Sequence, residues 1–230
     1  MKKIITILVL LAAFSSVAAF GASPEEMFKK SFPKKNVESF SETPIKGIYE
    51  VYTGNELFYY APEADLLILG NIVTKDNKSL TRESYFRKMA VKMAKLPLDM
   101  AIKKGSGKTV IVEFIDPNCH FCKLSYNYLA NRDDVTVYVF FYPLSQESEN
   151  KIRHIFCAAD PASMFDEVMQ GRFNETAKLK ICNDKKVDEI IMEHRKITGG
   201  LGIRSTPVFY INGEIITGFE VKKFEKVLQK

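Results

Sequence analysis

The sequence predicts an α/β protein in two unequal parts: a small α+β domain built on an antiparallel sheet, then a larger α/β sandwich. Three observations carry this. Two β-rich runs flank a Gly54-Asn55 turn between Ile45 and Tyr60. An apolar strand from Val110 runs through a tight turn into a helix. The chain then closes on a strand, an Asn212-Gly213 turn, a second strand and a final helix.

Ahead of these elements, residues 1–19 read as a secretory signal peptide. Lys2 and Lys3 form a basic start, Ile4 to Phe14 an apolar run, and small residues follow through Ala18 and Ala19. Cleavage is expected between residues 19 and 22, where Ala19, Gly21 and Ala22 offer small side chains. An uncleaved anchor is the alternative, and the apolar run is shorter than the ~20 residues a bilayer span needs. The expected destination is the periplasm, across the inner membrane.

Ser23 to Phe32 follows as a short amphipathic helix with Pro24 near its start. Ile45 to Tyr52 and Glu56 to Tyr60 pair as a hairpin, and Ala64 to Thr74 supplies a third strand with a bend at Gly70-Asn71. Residues 23–80 make a domain of about 60 residues, a size that commonly gains stability by packing on something else. Residues 81–104 read as a linker helix. Thr81 is its N-cap, Glu83 falls in the first turn, and Phe86, Met89, Ala90 and Met93 keep helical spacing before Pro97 breaks or kinks it. The methionine stripe reads as a packing face or as the face of a helix joining two domains, and neither reading gives it chemistry.

Residues 105–230 run strand, helix, strand (Val135 to Tyr142), helices (about Glu147 to Gly171 and Lys185 to Gly199), strand (Val208 to Ile211), strand (Glu214 to Thr217) and helix (Val221 to Leu228). A βαβ unit followed by a helix and a hairpin is an α/β sandwich of thioredoxin type.

Formal charge is +5, falling to +3 once Lys2 and Lys3 are removed. Basic and acidic residues interleave, so the balance gives no case for nucleic acid, and runs such as Lys34-Lys35 and Lys185-Lys186 read as solvated surface. No metal or organic cofactor is expected.

The chemistry sits where the strand from Val110 to Ile115 meets Asp116-Pro117-Asn118-Cys119-His120-Phe121-Cys122. A helix start directs unpaired N–H groups and the positive end of its dipole at the first sulfur, which favours thiolate. Thiolate attacks disulfides, and a second thiol one turn on resolves the mixed disulfide. Cys119 is the candidate nucleophile and Cys122 the resolving thiol. A Cys-x-x-Cys pair is also half a zinc site, but the other cysteines, Cys157 and Cys182, stand far apart; His154 near Cys157 is all that keeps a Cys/His site open. In an oxidising compartment Cys157 and Cys182 are left to pair by elimination, as a structural disulfide contributing on the order of 2–4 kcal/mol. Buried free thiols are the weaker alternative.

Two motifs, Phe114 to Cys122 and Ser205-Thr206-Pro207, give the second half its resemblance to thioredoxin-fold domains. In that family the Thr-Pro bond is cis, its loop lies against the dithiol, and the residue at Thr206 offers backbone groups to an extended substrate. Otherwise Pro207 is an ordinary proline opening a strand. From Ser23 to Lys230 the chain resembles the DsbC/DsbG family of periplasmic disulfide isomerases. The resemblance implies a small cystatin-like antiparallel-sheet dimerisation domain, a linker helix and a thioredoxin-like catalytic domain. It also implies a second disulfide at places matching Cys157 and Cys182. The N-terminal domains would pair into a V-shaped homodimer with an apolar cleft, and Tyr49, Tyr52, Phe58, Tyr59 and Tyr60 would either line that surface or pair within a core.

Two residues depart from the family pattern. His120-Phe121 stands where the isomerases carry Gly-Tyr; a protonated His120 stabilises the Cys119 thiolate, or it is an exposed imidazole with little effect. Glu113 is an odd acid in an apolar strand: either buried beneath the dithiol, with a raised pKa that lets it take the Cys122 proton, or facing water on an edge strand.

The function expected from these residues is disulfide isomerase or reductase activity on exported proteins with wrong or incomplete disulfides, kept reduced by a membrane electron donor (DsbD-like). The alternatives are a dithiol oxidase, a dimeric holdase chaperone, or a reductase for one dedicated client.

Overall fold

The computed structural model describes residues 21–172 and 179–229; the expected signal peptide lies outside the described residues. Among the described residues no helix is long and apolar enough to cross a membrane.

Helix α1 (Pro24–Ser31) opens on a capping box. The Ser23 hydroxyl accepts from the Glu26 N–H, and the Glu26 carboxylate accepts from the Ser23 N–H at 2.7 Å. An antiparallel sheet follows in chain order, with strands β1 (Ser39–Glu42), β2 (Tyr49–Tyr52), β3 (Leu57–Ala61) and β4 (Leu66–Ile68). Gly54, at φ +99°, makes the turn between β2 and β3, a conformation that costs a side-chain-bearing residue dearly.

Three expectations for this sheet need correction. Strand β1 lies outside every expected strand, because Ser39-Phe40-Ser41-Glu42 carries a single apolar residue. The strand expected from Ile45 starts only at Tyr49, since Ile48 turns back onto the Ile45 carbonyl and Gly47 takes φ +78°. The strand expected over Ala64 to Thr74 shrinks to Leu66–Ile68.

The aromatic residues do not form an exposed face either. Phe58 and Tyr60 pack with Phe28 of α1 on one side of the sheet, while Tyr52 and Tyr59 are buried on the other. Tyr49 is half-buried and stacked on Phe40 at 5.2 Å. Alternation along β2 and β3 sends neighbouring aromatics to opposite faces, and both faces are covered.

The second cover is α2 (Leu80–Met93). Its N-cap is Ser79, whose hydroxyl accepts from the Arg82 N–H, rather than Thr81. The Thr81 hydroxyl points inward instead, bonding the Tyr59 hydroxyl and the Ile72 N–H. The helix also stops well short of residue 104. A 3-10 turn (Leu98–Met100) follows Pro97, and Ile102–Gly105 is a strand, β5.

The second sheet runs β5-β7-β6-β8-β9, with β6 (Thr109–Ile115), β7 (Val135–Phe141), β8 (Val208–Ile211) and β9 (Glu214–Thr217). Among the described residues only β6 and β7 pair in parallel, joined by α3 (His120–Leu129). The single helix expected near 147–171 is two, α4 (Gln146–Phe156) and α5 (Pro161–Met169). Asp160 caps the second and Pro161 starts it, a pair that begins a helix rather than continuing one. Helices α6 (Lys185–Leu201) and α7 (Val221–Leu228) complete the chain.

Two cores flank this sheet. Ile111 and Ile115 of β6 join Cys122, Tyr126, Phe165 and Phe224 on one side. Val112 and Phe114 join Met89, Met93, Ile197 and Leu201 on the other, so the methionine stripe of α2 packs in the core of the second sheet.

Candidate active site

Cys119 is the N-cap of α3, partly exposed, and Cys122 lies one turn inside and is fully buried; neither is in a disulfide. Burial pushes the Cys122 thiol up, so it holds its proton. This asymmetry suits a dithiol in which one sulfur meets partners and the other acts only after a partner is attached. The Cys119 thiol donates to the Thr206 carbonyl oxygen at 3.5 Å, across a gap of primary sequence that only the fold closes.

The Thr206–Pro207 bond is cis, as the resemblance implied, and Pro207 is buried with its carbonyl accepting from the Gly218 N–H at 2.8 Å. The Thr206 hydroxyl is buried and closes no hydrogen bond of ordinary geometry among the described residues. It lies near the Cys122 sulfur and favours its thiolate.

Glu113 sits on β6, the central strand, between Val139 of β7 and Phe209 of β8, and is 3% exposed. The edge-strand alternative is therefore wrong. Alternation places Glu113 on the same face as Ile111 and Ile115, under α3, where the Ser125 hydroxyl donates to its carboxyl at 2.6 Å. Burial raises its pKa to about 7, against a smaller opposing pull from Ser125. The carboxyl also lines a cavity of about 260 Å³ with Tyr126, Asp166 and Lys104 among its walls.

His120 is exposed, edge-on to the Phe121 ring at 5.6 Å, and among the described residues it makes no hydrogen bond to Cys119. Cys157 and Cys182 are joined, with Cα atoms 5.7 Å apart, and the bond ties the end of α4 to the segment before α6. They are thus not free as zinc ligands. Among the described residues no group of three or more His, Cys, Asp or Glu is placed to hold a metal.

Two residues at the site escaped the sequence reading. Asp116 is 1% exposed, and its carboxylate accepts from the Asn118 N–H at 2.7 Å, the Leu144 N–H at 2.6 Å and the Ser148 hydroxyl at 2.9 Å. It ties the loop before Cys119 to the segment after β7 and to the first turn of α4. The signal was present, since Asp-Pro-Asn is an Asx-turn sequence. Ser125 was the other, a lone hydroxyl on the buried stripe Cys122, Ser125, Tyr126 and Leu129.

A thioredoxin sandwich carrying an exposed and a buried cysteine at a helix start, facing a cis-proline loop, is a thiol–disulfide oxidoreductase. Comparisons with known proteins agree. A family described as the disulfide bond isomerase protein N-terminal domain matches residues 15–82, and one described as a thioredoxin-like domain matches residues 96–230. A probable thiol:disulfide interchange protein DsbC of Bordetella pertussis is 34% identical over 200 residues, covering 84% of this chain and 68% of that protein. The thiol:disulfide interchange protein DsbC of Escherichia coli K12 is 27% identical over 233 residues, covering 97% of this chain and 93% of its own. The thiol-disulfide exchange protein alpha-DsbA2 of Wolbachia pipientis superposes with a TM-score of 0.51 at 17% identity, covering 61% of this chain and 94% of that one, which speaks to the fold alone. The chain belongs to the DsbC family of thiol:disulfide interchange proteins.

Proposed function

We propose that this protein is a disulfide isomerase and reductase for exported proteins, acting in the periplasm from a reduced Cys119–Cys122 pair. The observation that carries the reading is the combination of an accessible Cys119, beside the Thr206 carbonyl, with a fully buried Cys122, in a chain whose first part matches an isomerase N-terminal domain.

The Cys119 thiolate attacks one sulfur of a wrong substrate disulfide. That S–S bond breaks, a Cys119–substrate disulfide forms, and the second substrate sulfur leaves as thiolate. A different substrate thiolate then displaces Cys119, which rearranges the substrate without net redox change. Otherwise Cys122 attacks, the substrate leaves reduced, and the Cys119–Cys122 pair is left oxidised. In that second branch Glu113 takes the Cys122 proton, which burial otherwise holds on the sulfur. Thr206 and Pro207 hold the substrate chain against the dithiol, and a protonated His120 adds positive charge beside the Cys119 thiolate. Returning the pair to the dithiol needs an electron donor of the DsbD kind in the membrane.

The protein acts as a homodimer through residues 23–80. The support is β4, an edge strand in which Leu66 and Ile68 are exposed, next to an exposed Leu69. The oxidase reading keeps one observation in its favour, the buried Glu113.

Acid trapping and thiol alkylation of the exported protein separate the two readings. The isomerase reading expects Cys119 and Cys122 mostly reduced, and recovery of activity from a scrambled multi-disulfide substrate. A mostly oxidised pair that leaves scrambled substrate untouched would sink it in favour of the oxidase. Replacing both cysteines tests the holdase, because suppression of aggregation would survive while redox activity vanished.

A further inference from the structure

Arg204 stands in the loop between α6 and the cis-proline, exposed, two residues before Thr206. Two residues of chain reach at most about 7 Å, so the Arg204 backbone stands within that distance of Thr206, whose carbonyl faces Cys119. Arg204 also lines a groove of about 840 Å³ between the N-terminal sheet and the second half of the chain. Other walls are Phe58, Leu69, Val73, Arg82 and Tyr85. Leu69 is 82% exposed and Val73 51%, so the apolar part of this wall is open.

The groove is held in shape. The Tyr85 hydroxyl donates to the Leu201 carbonyl at 2.8 Å, and Gly202, at φ +66°, passes so close that a Cβ would strike that hydroxyl. The end of α6, and with it the start of the Arg204 loop, is thereby pinned to α2. Arg82 is equally placed. It donates to the Thr217 hydroxyl at 3.0 Å and its guanidinium lies over the Phe86 ring.

Charge along the groove is one-sided. Lys35 and Glu56 neutralise each other at 3.1 Å. Among the described residues neither Arg82 nor Arg204 pairs with a carboxylate, so two positive charges remain beside an open apolar wall.

We infer that this groove takes the extended chain flanking a substrate disulfide, and that Arg82 and Arg204 select segments with acidic residues close to the reacting cysteine. This deepens the functional reading above and rests on it. An extended chain advances about 3.3 Å per residue, so an acidic side chain a few positions from a cysteine held at Cys119 comes within reach of Arg204.

The test uses the reduced full-length protein and three synthetic cystine peptides that differ only beside one cysteine: Asp-Glu, Ser-Gln or Lys-Arg. The rate of exchange is followed at low and high salt. The acidic peptide should react about fivefold faster than the basic one at low salt, with the difference shrinking as salt rises. Arg204→Lys should keep that ratio, Arg204→Ser should bring it toward one, and Arg204→Glu should invert it. A substitution that merely disturbed Cys119 would change all three rates together and leave the ratio intact, which would overturn the inference. Equal rates for the three peptides on a protein that still exchanges would end the acidic subsite alone. No exchange with any peptide would end the functional reading, and the subsite with it.

Discussion

The Ser125 hydroxyl donates to the Glu113 carboxyl at 2.6 Å, from the first turns of the helix that carries the dithiol to the strand beneath it. One contact thus couples the elements bearing Cys122 and its expected proton acceptor. In an unfolded chain Glu113 ionises near 4.5, and in the folded protein near 7. Between those values the folded state binds more protons, so Glu113 makes stability fall as pH rises from about 4.5 to about 7.

Glu113→Gln should therefore matter little to stability below pH 4.5 and stabilise the protein at pH 8, by on the order of 3 kcal/mol. Urea unfolding at the two pH values checks this. The same substitution should slow resolution of a Cys119 mixed disulfide by roughly a hundredfold. Unchanged resolution in a stopped-flow assay would remove Glu113 from the proton path.

His194 carries the opposite sign. It is 2% exposed, accepts from the Phe141 N–H at Nδ1, and places Nε2 2.9 Å from the Met100 carbonyl, so it bridges α6, β7 and the turn before β5. Burial lowers its pKa to about 4. Above pH 6.5 it is neutral in both states; as pH falls from 6.5 toward 4 only the unfolded chain gains the proton, and stability is lost. His194→Gln should flatten that acid limb of the stability curve, measured by urea midpoints across the window. An equally steep limb in the variant would assign the acid sensitivity elsewhere.

Asp116→Ala should cost about 2–4 kcal/mol, because three donors lose one carboxylate and the Ser148 hydroxyl among them stays buried. It should also slow thiolate attack by Cys119, since the loop leading to that cysteine loses its tie to α4. Denaturant midpoints and the rate of Cys119 alkylation measure the two effects separately.

Replacing Cys157 and Cys182 together with alanine should lower stability by about 2–4 kcal/mol while Cys119 still forms mixed disulfides. A double variant that lost exchange but kept its denaturant midpoint would mean the bond serves the chemistry rather than the scaffold.

The sequence by itself determined the order of elements in the second half, and the bounds of its last three. The strands over Val208–Ile211 and Glu214–Thr217 and the helix over Val221–Leu228 fall where their alternation, Asn-Gly turn and helical spacing place them. Cys119 and Cys122 were legible for the same reason: a strand, a turn and a helix start are local, and local pattern is what a sequence displays. The pairing of Cys157 with Cys182 followed from counting cysteines in a chain expected to be exported.

Only the tertiary structure decided the rest. Nothing local told a buried Glu113 from an exposed one, because its burial depends on β7, β8 and α3 closing around β6. The Thr206 carbonyl comes to Cys119 through the packing of a distant loop. The aromatics of β2 and β3 could have faced a cleft or a core until α1 and α2 covered both sides. Strand β5 draws its partners from β7, and its own Ile102-Lys103-Lys104-Gly105 carries too little apolar pattern to reveal it. Burial, and the pKa that follows from it, is set by what the remainder of the chain brings alongside a residue.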